Sequence, residues 1–387
     1  MTNDKKKYGV YIHIPFCRQK CFYCDFPSFA GRERFMDEYV SALCTEIVHW
    51  GQAVKAGETS GSPATFYIGG GTPSLLDSRQ ISRLLSAIAE GFGSIDDKEF
   101  TVEANPCSLT EEKLRIMKSF GVNRLSIGVQ TFDDACLKRI GRLHTASEAR
   151  NAIKLARQAG ICNISADLMY GLPGETLKQL QDDLKEMLSL NPKHISVYGL
   201  QLEEGTVLYR QMEMGRLELP SEEETEAMYD LIADSLPAAG YQRYEISNYA
   251  LQGFESQHNL SYWQDVPYIG LGAGAHSYWQ GARYENPADI KGYINRIESK
   301  NFSWQLEEQL GQKQHMEEFC FLALRTRGGI SSSAFRQCFG QEIDDVYADV
   351  LQELQSDGLV EVDKEGVRLT SLGMKLGNRV FAEFLLD

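Results

Sequence analysis

The stretch Tyr11-Ile12-His13-Ile14-Pro15-Phe16-Cys17-Arg18-Gln19-Lys20-Cys21-Phe22-Tyr23-Cys24 places three cysteines directly after a strand-like run. Thiolates are soft ligands suited to zinc or to iron–sulfur clusters, and such clusters usually take four of them. The local count stops at three: position 26 is Phe26, and the next cysteine, Cys44, lies in a helical pattern. A cube held by three cysteines leaves one iron open to an exchangeable ligand, which makes the cluster chemical rather than purely structural. Structural zinc prefers two cysteine pairs, or cysteine pairs joined by histidines, and no second pair follows downstream. His13 is a conceivable fourth ligand, yet it is more simply a strand residue. Nine scattered cysteines without a secretory pattern do not read as a disulfide framework. Cys44, Cys107, Cys136, Cys162, Cys320 and Cys338 read as buried thiols packing as small apolar groups.

Outward from this loop, short β-rich runs recur at 8–14, 64–69, 99–104, 124–129, 161–168 and 194–200. Amphipathic stretches separate them: Arg34 to Trp50, Arg79 to Phe92, Glu111 to Phe120, Glu148 to Ala159 and Leu177 to Leu190. Strand, helix, strand at this spacing predicts parallel pairing with right-handed crossovers. Six units are too few for a closed eight-stranded barrel, so the expectation is an α/β fold with a partial (βα)6 TIM-like barrel. Its chemistry then collects at the carboxyl ends of the strands. The strand ends agree, carrying the cysteine loop, Gly69-Gly70-Gly71-Thr72-Pro73-Ser74, Glu103-Ala104-Asn105-Pro106, Gln130-Thr131, Asp167 to Tyr170 and Tyr198 to Gln201. Glycines there let a ligand approach main-chain amides, although the triplet matches neither the phosphate loop nor the dinucleotide fingerprint. Glu103 and Asp167 suit ribose hydroxyls, and Arg142 suits a carboxylate.

These residues resemble the radical S-adenosylmethionine (SAM) superfamily, and within it the oxygen-independent coproporphyrinogen III oxidase-like family. The resemblance covers almost the whole chain: Tyr11 to Phe26, Gly69 to Ser74, Thr101 to Pro106, Gly141-Arg142 and the carboxyl-terminal segment. It implies that Cys17, Cys21 and Cys24 hold a 4Fe–4S cluster whose open iron binds SAM, and that Tyr11, Tyr23, Gly70, Gly71, Thr72, Glu103, Gln130, Arg142 and Asp167 contact SAM. Two departures point away from the oxidase: Cys24-Asp25-Phe26 lacks its further cysteine, and only sixteen residues precede Cys17. Both resemble the HemW-type haem chaperones, as does His258-Asn259-Leu260-Ser261-Tyr262-Trp263, which matches their haem-binding signature HNxxYW. That match implies haem binding through His258, Asn259, Tyr262 and Trp263, with His276 a rival for the axial ligand. Taken without the family, the segment reads as a turn whose aromatics pack beneath the Gly270 to His276 loop.

Residues 203–257 mix an acidic helix, Ser221 to Leu236, with a β-like Tyr241 to Tyr249 segment. From Gln312 the order helix, turn at Gly328-Gly329, helix, hairpin resembles a winged helix. The expected domains are thus 1–202 for the barrel with cluster and SAM, 203–311 for a barrel extension and linking segment with the HNxxYW motif, and 312–387 for a winged-helix-like lid or docking domain. Its acidic residues offset its basic ones, and a net charge of −15 speaks against nucleic acid or an anionic membrane as main partner. No apolar run spans a bilayer, and Lys5-Lys6-Lys7 reads as a solvated tail. The expected setting is cytoplasmic, with haem or porphyrin and haem-accepting proteins, membrane-bound ones included, as partners. Three functions stay open: a haem chaperone, a coproporphyrinogen oxidase, and a radical SAM enzyme with another substrate.

Overall fold

The computed structural model describes residues 7–55 and 61–386; Lys5 and Lys6 lie outside them. The chain runs β1 (Lys7–Ile14), the short pair β2 (Phe16–Cys17) and β3 (Phe29–Ala30), α1 (Met36–Lys55), β4 (Ser62–Gly70), α2 (Ser78–Phe92), β5 (Glu99–Ala104), α3 (Glu111–Ser119) and β6 (Arg124–Gln130). It continues through α4 (Asp134–Arg139), α5 (Ala146–Gln158), β7 (Asn163–Tyr170), α6 (Leu177–Leu190) and β8 (His194–Gly199). The helices form where the apolar spacing and the caps agree. In α2, Ile81, Leu84, Leu85, Ile88 and Phe92 fall on one buried face, and Asp77 with Gln80 closes a capping box at its start. Thr145 with Glu148 and Thr176 with Gln179 do the same for α5 and α6.

Strands β1, β4, β5, β6, β7 and β8 lie side by side and parallel, as the alternation predicts. The sheet then grows in both directions. Beyond β8 come β10 (Asn248–Ala250) and β9 (Gln242–Arg243), both antiparallel, after α7 (Val207–Glu213) and the acidic α8 (Glu222–Ala238). On the other side, after α9 (Gln257–Trp263), β11 (Tyr268–Leu271) pairs parallel with β1. An antiparallel ribbon follows: β12 (His276–Trp279), β13 (Ala282–Glu285) and, after α10 (Ile290–Glu298), β14 (Gln305–Gln309). The result is one open twelve-stranded sheet with β14 and β9 at its edges. The sequence reading missed β11 to β14 because each is only four or five residues long, and it placed a loop where Gly270 and His276 are strand residues.

The last segment packs α11 (Gln312–Leu324), α12 (Ser332–Phe339) and α13 (Ile343–Ser356) against a small antiparallel sheet of β15 (Ile330–Ser331), β17 (Gly366–Leu369) and β16 (Val360–Asp363), closed by α14 (Ser371–Lys375) and α15 (Gly377–Ala382). Helix, strand, helix, helix, hairpin is the winged-helix-like order. It has its own core around Cys320, Phe335, Tyr347, Val367 and Phe384.

Strand register fixes what faces the interior of the curved sheet. Tyr11, Tyr67, Thr101, Arg124 and Asn163 share one level, and Glu103, Ser126, Ser165 and His194 the next. Between them stand Phe66, Ile68, Phe100, Val102, Leu125 and Ile127, all buried under the helices. The interior is therefore polar, unlike a barrel filled with branched apolar side chains.

Candidate functional site

At the carboxyl end of β1 the chain turns at Pro15 into the cysteine loop, which the β2–β3 pair closes. Phe29 N–H donates to Pro15 O at 2.7 Å, and Cys24 N–H donates to Cys21 O at 3.2 Å. The loop is also tied to the segment after α4: Phe22 N–H donates to Ile140 O at 3.0 Å and Gln19 Nε2 to Gly141 O at 3.1 Å. A Cβ on Gly141, whose φ is +77°, would meet the Phe22 ring at 2.7 Å, so glycine is required for this approach. Cys17 is buried, while Cys21 and Cys24 are half-buried. Burial pushes the Cys24 thiol up, and the neighbouring Cys21 and Cys17 add to it.

The residues expected around SAM assemble beside these thiols. Thr72 Oγ1 points at Cys17 Sγ, 3.7 Å away. A Cβ on Gly71 would lie 2.7 Å from Phe16 O and 3.0 Å from Cys17 Sγ, and Gly70 holds a φ of +114° against the His13 ring. Glu103 accepts from Gly70 N–H at 3.1 Å and from the Tyr67 hydroxyl at 2.7 Å; burial pushes its carboxyl up to about 7. Arg142 donates through Nη2 to Gly128 O at 2.6 Å and reaches Cys21 Sγ at 3.5 Å, bringing positive charge to that sulfur. Gln130 ends β6 at a register shift with φ +71°, a strained conformation of the kind found at binding sites. Asp167 faces inward, 3.4 Å from Ser126 Oγ, and burial raises its carboxyl. Tyr11 bonds His13 Nδ1 through its hydroxyl at 2.8 Å, and His13 Nε2 meets Pro27 O at 3.0 Å, so His13 is engaged as a strand residue. Tyr23 packs into a small apolar cluster with Cys136, Ile140, Met169 and Leu208. A cavity of about 260 Å³ opens here, lined by Arg18, Cys21, Thr72, Asn105, Cys107 and Arg142 among others.

The HNxxYW residues lie elsewhere. They form α9, a helix rather than a turn, seated against the amino ends of β1, β4 and β5, at the opposite end of the strands from the cysteines. Glu99 accepts from Gln257 N–H and His258 N–H, each at 3.0 Å, and so caps α9. His258 is 1 % exposed. Its Nδ1 meets Thr65 Oγ1 and its Nε2 the Tyr262 hydroxyl, both at 2.8 Å, and its ring stacks on Tyr67. Burial first, and then Arg124, lower its pKa to about 3. Asn259 is half-buried, and Trp263 lies under the Arg325 guanidinium with 4.5 Å to the ring centre, joining α9 to the carboxyl-terminal domain.

Matches to known proteins fit this geometry. Residues 11–187 match the radical SAM superfamily model and residues 310–376 the HemN C-terminal domain model. Over 378 residues, 97 % of this chain and 99 % of the relative, it is 43 % identical to "Heme chaperone HemW" of Bacillus subtilis (strain 168). The chain belongs to the radical SAM superfamily. Within it the chain belongs to the coproporphyrinogen oxidase-like family that includes HemW. "Heme chaperone HemW" of Lactococcus lactis subsp. lactis (strain IL1403) is 39 % identical over 99 % of this chain and 98 % of the relative. The fold matches that of coproporphyrinogen III oxidase (HemN) from Escherichia coli, described as a radical SAM enzyme, with a TM-score of 0.85 at 24 % identity, covering 99 % of this chain and 91 % of the other.

Radical SAM membership implies a 4Fe–4S cluster and SAM. The donor set fits a cluster better than a single ion. Zinc needs all its ligands within about 2.3 Å of one point, and among the described residues no three His, Cys, Asp or Glu side chains converge in that way. In a four-iron cube each thiolate takes a different iron, so the sulfurs need not converge. Sequence reasoning passed over Tyr67, Arg124 and Cys107. The first two were legible as polar side chains at alternate positions of otherwise apolar strands; Cys107 carried no signal, since only folding brings it into the cavity beside Cys21.

Proposed function

We propose that this chain is a cytoplasmic haem chaperone: it holds a 4Fe–4S cluster on Cys17, Cys21 and Cys24, binds SAM across the glycine rim, carries haem as cargo and passes it to recipient proteins. The observation that carries this reading is the 43 % identity along nearly the full length of both chains to a relative named as a haem chaperone. Phe26, standing where the resembling oxidases carry a further cysteine, supports it. Among the described residues no helix is long and apolar enough to cross a membrane.

When bound, the cluster would supply one electron to SAM and open its carbon–sulfur bond. The chain's own residues prepare the place. The Gly70 and Gly71 backbones leave room for close approach; Arg142 balances thiolate charge at Cys21 and is placed to pair with a carboxylate. Glu103 and Asp167 offer acceptors to hydroxyl groups from the barrel interior, and burial behind the cysteine loop keeps water from these contacts.

The second reading, oxidation of coproporphyrinogen III, is favoured by the likeness of the folds. An anaerobic assay of cluster-reconstituted protein with SAM, a reductant and coproporphyrinogen III separates the two. The chaperone reading expects no decarboxylated porphyrinogen, whether or not 5′-deoxyadenosine forms, once iron content verifies the cluster. Decarboxylated product formed at catalytic turnover would overturn it.

A further inference from the structure

Resting on the haem-cargo reading above, we propose that the axial ligand to the haem iron is His276 through Nε2, at the cysteine end of the sheet, rather than the buried His258. An axial histidine needs one ring nitrogen with a free lone pair and a position a flat macrocycle can reach. His258 has neither in this fold: both nitrogens are bonded at 2.8 Å and the residue is 1 % exposed. Coordination there would break the bond to Thr65 or to Tyr262 and pull α9 off Glu99.

His276 meets both conditions. Its side chain is 49 % exposed. Its Nδ1 lies 2.9 Å from Glu307 Oε2; donating Nδ1–H to that oxygen leaves the Nε2 lone pair free for a metal. A carboxylate behind the distal nitrogen is the arrangement that orients histidine ligands and raises their basicity.

The platform under His276 is rigid. The preceding turn is pinned by the buried Glu46 of α1, which accepts from Gly272 N–H at 2.8 Å, from the Tyr293 hydroxyl at 2.6 Å, and from Asn286 and Arg296, each at 3.1 Å. Tyr39 accepts from Ala273 N–H at 3.0 Å and donates to His13 O at 2.8 Å, locking the turn to β1. Gly272, with φ +102°, leaves no room there for a Cβ, which would meet the Tyr39 hydroxyl at 2.6 Å. A ligand on such a support binds without paying to order its loop.

Apolar surface for the macrocycle is at hand. Gly274 approaches Pro27, with 3.8 Å between Pro27 Cβ and the place of a Gly274 Cβ. Beside Pro27 stands Phe26, 66 % exposed on the cysteine loop. An aromatic left in solvent at that point suits a ring that stacks on it.

The test is a titration of ferric haem into the anaerobically purified full chain, read by absorbance, electron paramagnetic resonance and magnetic circular dichroism. Wild type is expected to give an imidazole-ligated spectrum at one haem per chain. His276→Ala is expected to lose that ligand signature, His276→Met to replace it by a thioether-ligated one, and Glu307→Gln, with the ligand retained, to weaken binding about 10- to 100-fold. Because His276 and Glu307 are both exposed, their variants keep the fold, and circular dichroism verifies it. Wild-type affinity and spectrum in both His276 variants would overturn this assignment and leave the haem reading on another ligand. A thiolate-type spectrum in the wild type, lost on alkylating the exposed Cys162 and Cys338, would overturn it equally. No stoichiometric binding by the wild type would overturn the haem reading itself.

Discussion

Single residues divide this molecule into two chemically distinct ends. At the cysteine end Cys17 is buried, but Cys21 and Cys24 are half-buried and reachable. Cys21→Ser should leave too few thiolates for a stable cube, with iron after anaerobic reconstitution falling from about four per chain towards zero; a complete four-iron spectrum in that variant would sink the cysteine assignment. At the other end His258 is consumed by the fold. Its folded pKa of about 3 lies below the unfolded value of 6.5, so the neutral ring contributes stability that is fully present above pH 6.5 and is lost as pH falls towards 3. From this group alone, lowering the pH from 7 to 5 should cost about 2 kcal/mol. His258→Gln should be less stable than wild type at pH 7 by about 2 kcal/mol, through lost packing and unpaired Thr65 and Tyr262 hydroxyls, and should show a flatter acid limb. Urea midpoints across that pH range check both; equal acid slopes would contradict the assignment of the slope to this ring.

Elements place those residues, and here the reach and the limits of the sequence are visible together. The six parallel strands and α6, Leu177–Leu190, were legible because hydrophobic period and capping residues agree there. The cysteine loop, the glycine rim and Arg142 were legible as chemistry on a common edge. Two kinds of feature were not. α9 looked like a turn because seven residues with aromatics on several faces carry no clear period; its local cap, Ser256, accepts only from Asn259 N–H, and the carboxylate that takes its first-turn amides, Glu99, lies 158 positions from Gln257 in sequence. The antiparallel ribbon from β12 to β14 was hidden because its strands take their pairing from neighbours that are not yet defined when the chain is read linearly. The glycine rim gives an element-scale prediction. Gly71→Ala would drive a methyl group into Phe16 O and Cys17 Sγ, displacing the cysteine loop from β4. Iron incorporation should fall severalfold while the circular dichroism spectrum and urea midpoint change little; full incorporation would show that the loop does not depend on that contact.

Across the whole molecule, the carboxyl-terminal domain is fastened to the barrel by specific polar contacts, among them ion pairs from Lys375 to Glu226 and Asp230 and backbone bonds joining Tyr244 to Arg327 and Ile246 to Arg325. Arg283 on β13 makes two parallel bonds to Glu318 on α11 at 2.7 and 2.6 Å, His315 meets Asp265 at 2.6 Å, and Arg325 covers Trp263. Charge-assisted bidentate pairs are the stronger kind of surface ion pair, yet partial exposure keeps this one at about 1 kcal/mol. Glu318→Ala should therefore speed amide exchange in α11 a fewfold and leave β5 and β6 unchanged; equal protection in α11 would show that the pair does not hold the joint. Because Trp263 and Asp265 flank the end of α9, the helix that closes the barrel floor also carries the outer domain. Haem carried as cargo can be followed directly. The cluster-reconstituted chain, loaded with haem under anaerobic conditions, is mixed with a haem-free acceptor protein, and each chain's haem is counted after separation. One haem per chain is expected at the start, with its passage to the acceptor without alteration of the porphyrin. Failure to bind haem stoichiometrically, or decarboxylation of coproporphyrinogen III by the same preparation, would contradict it.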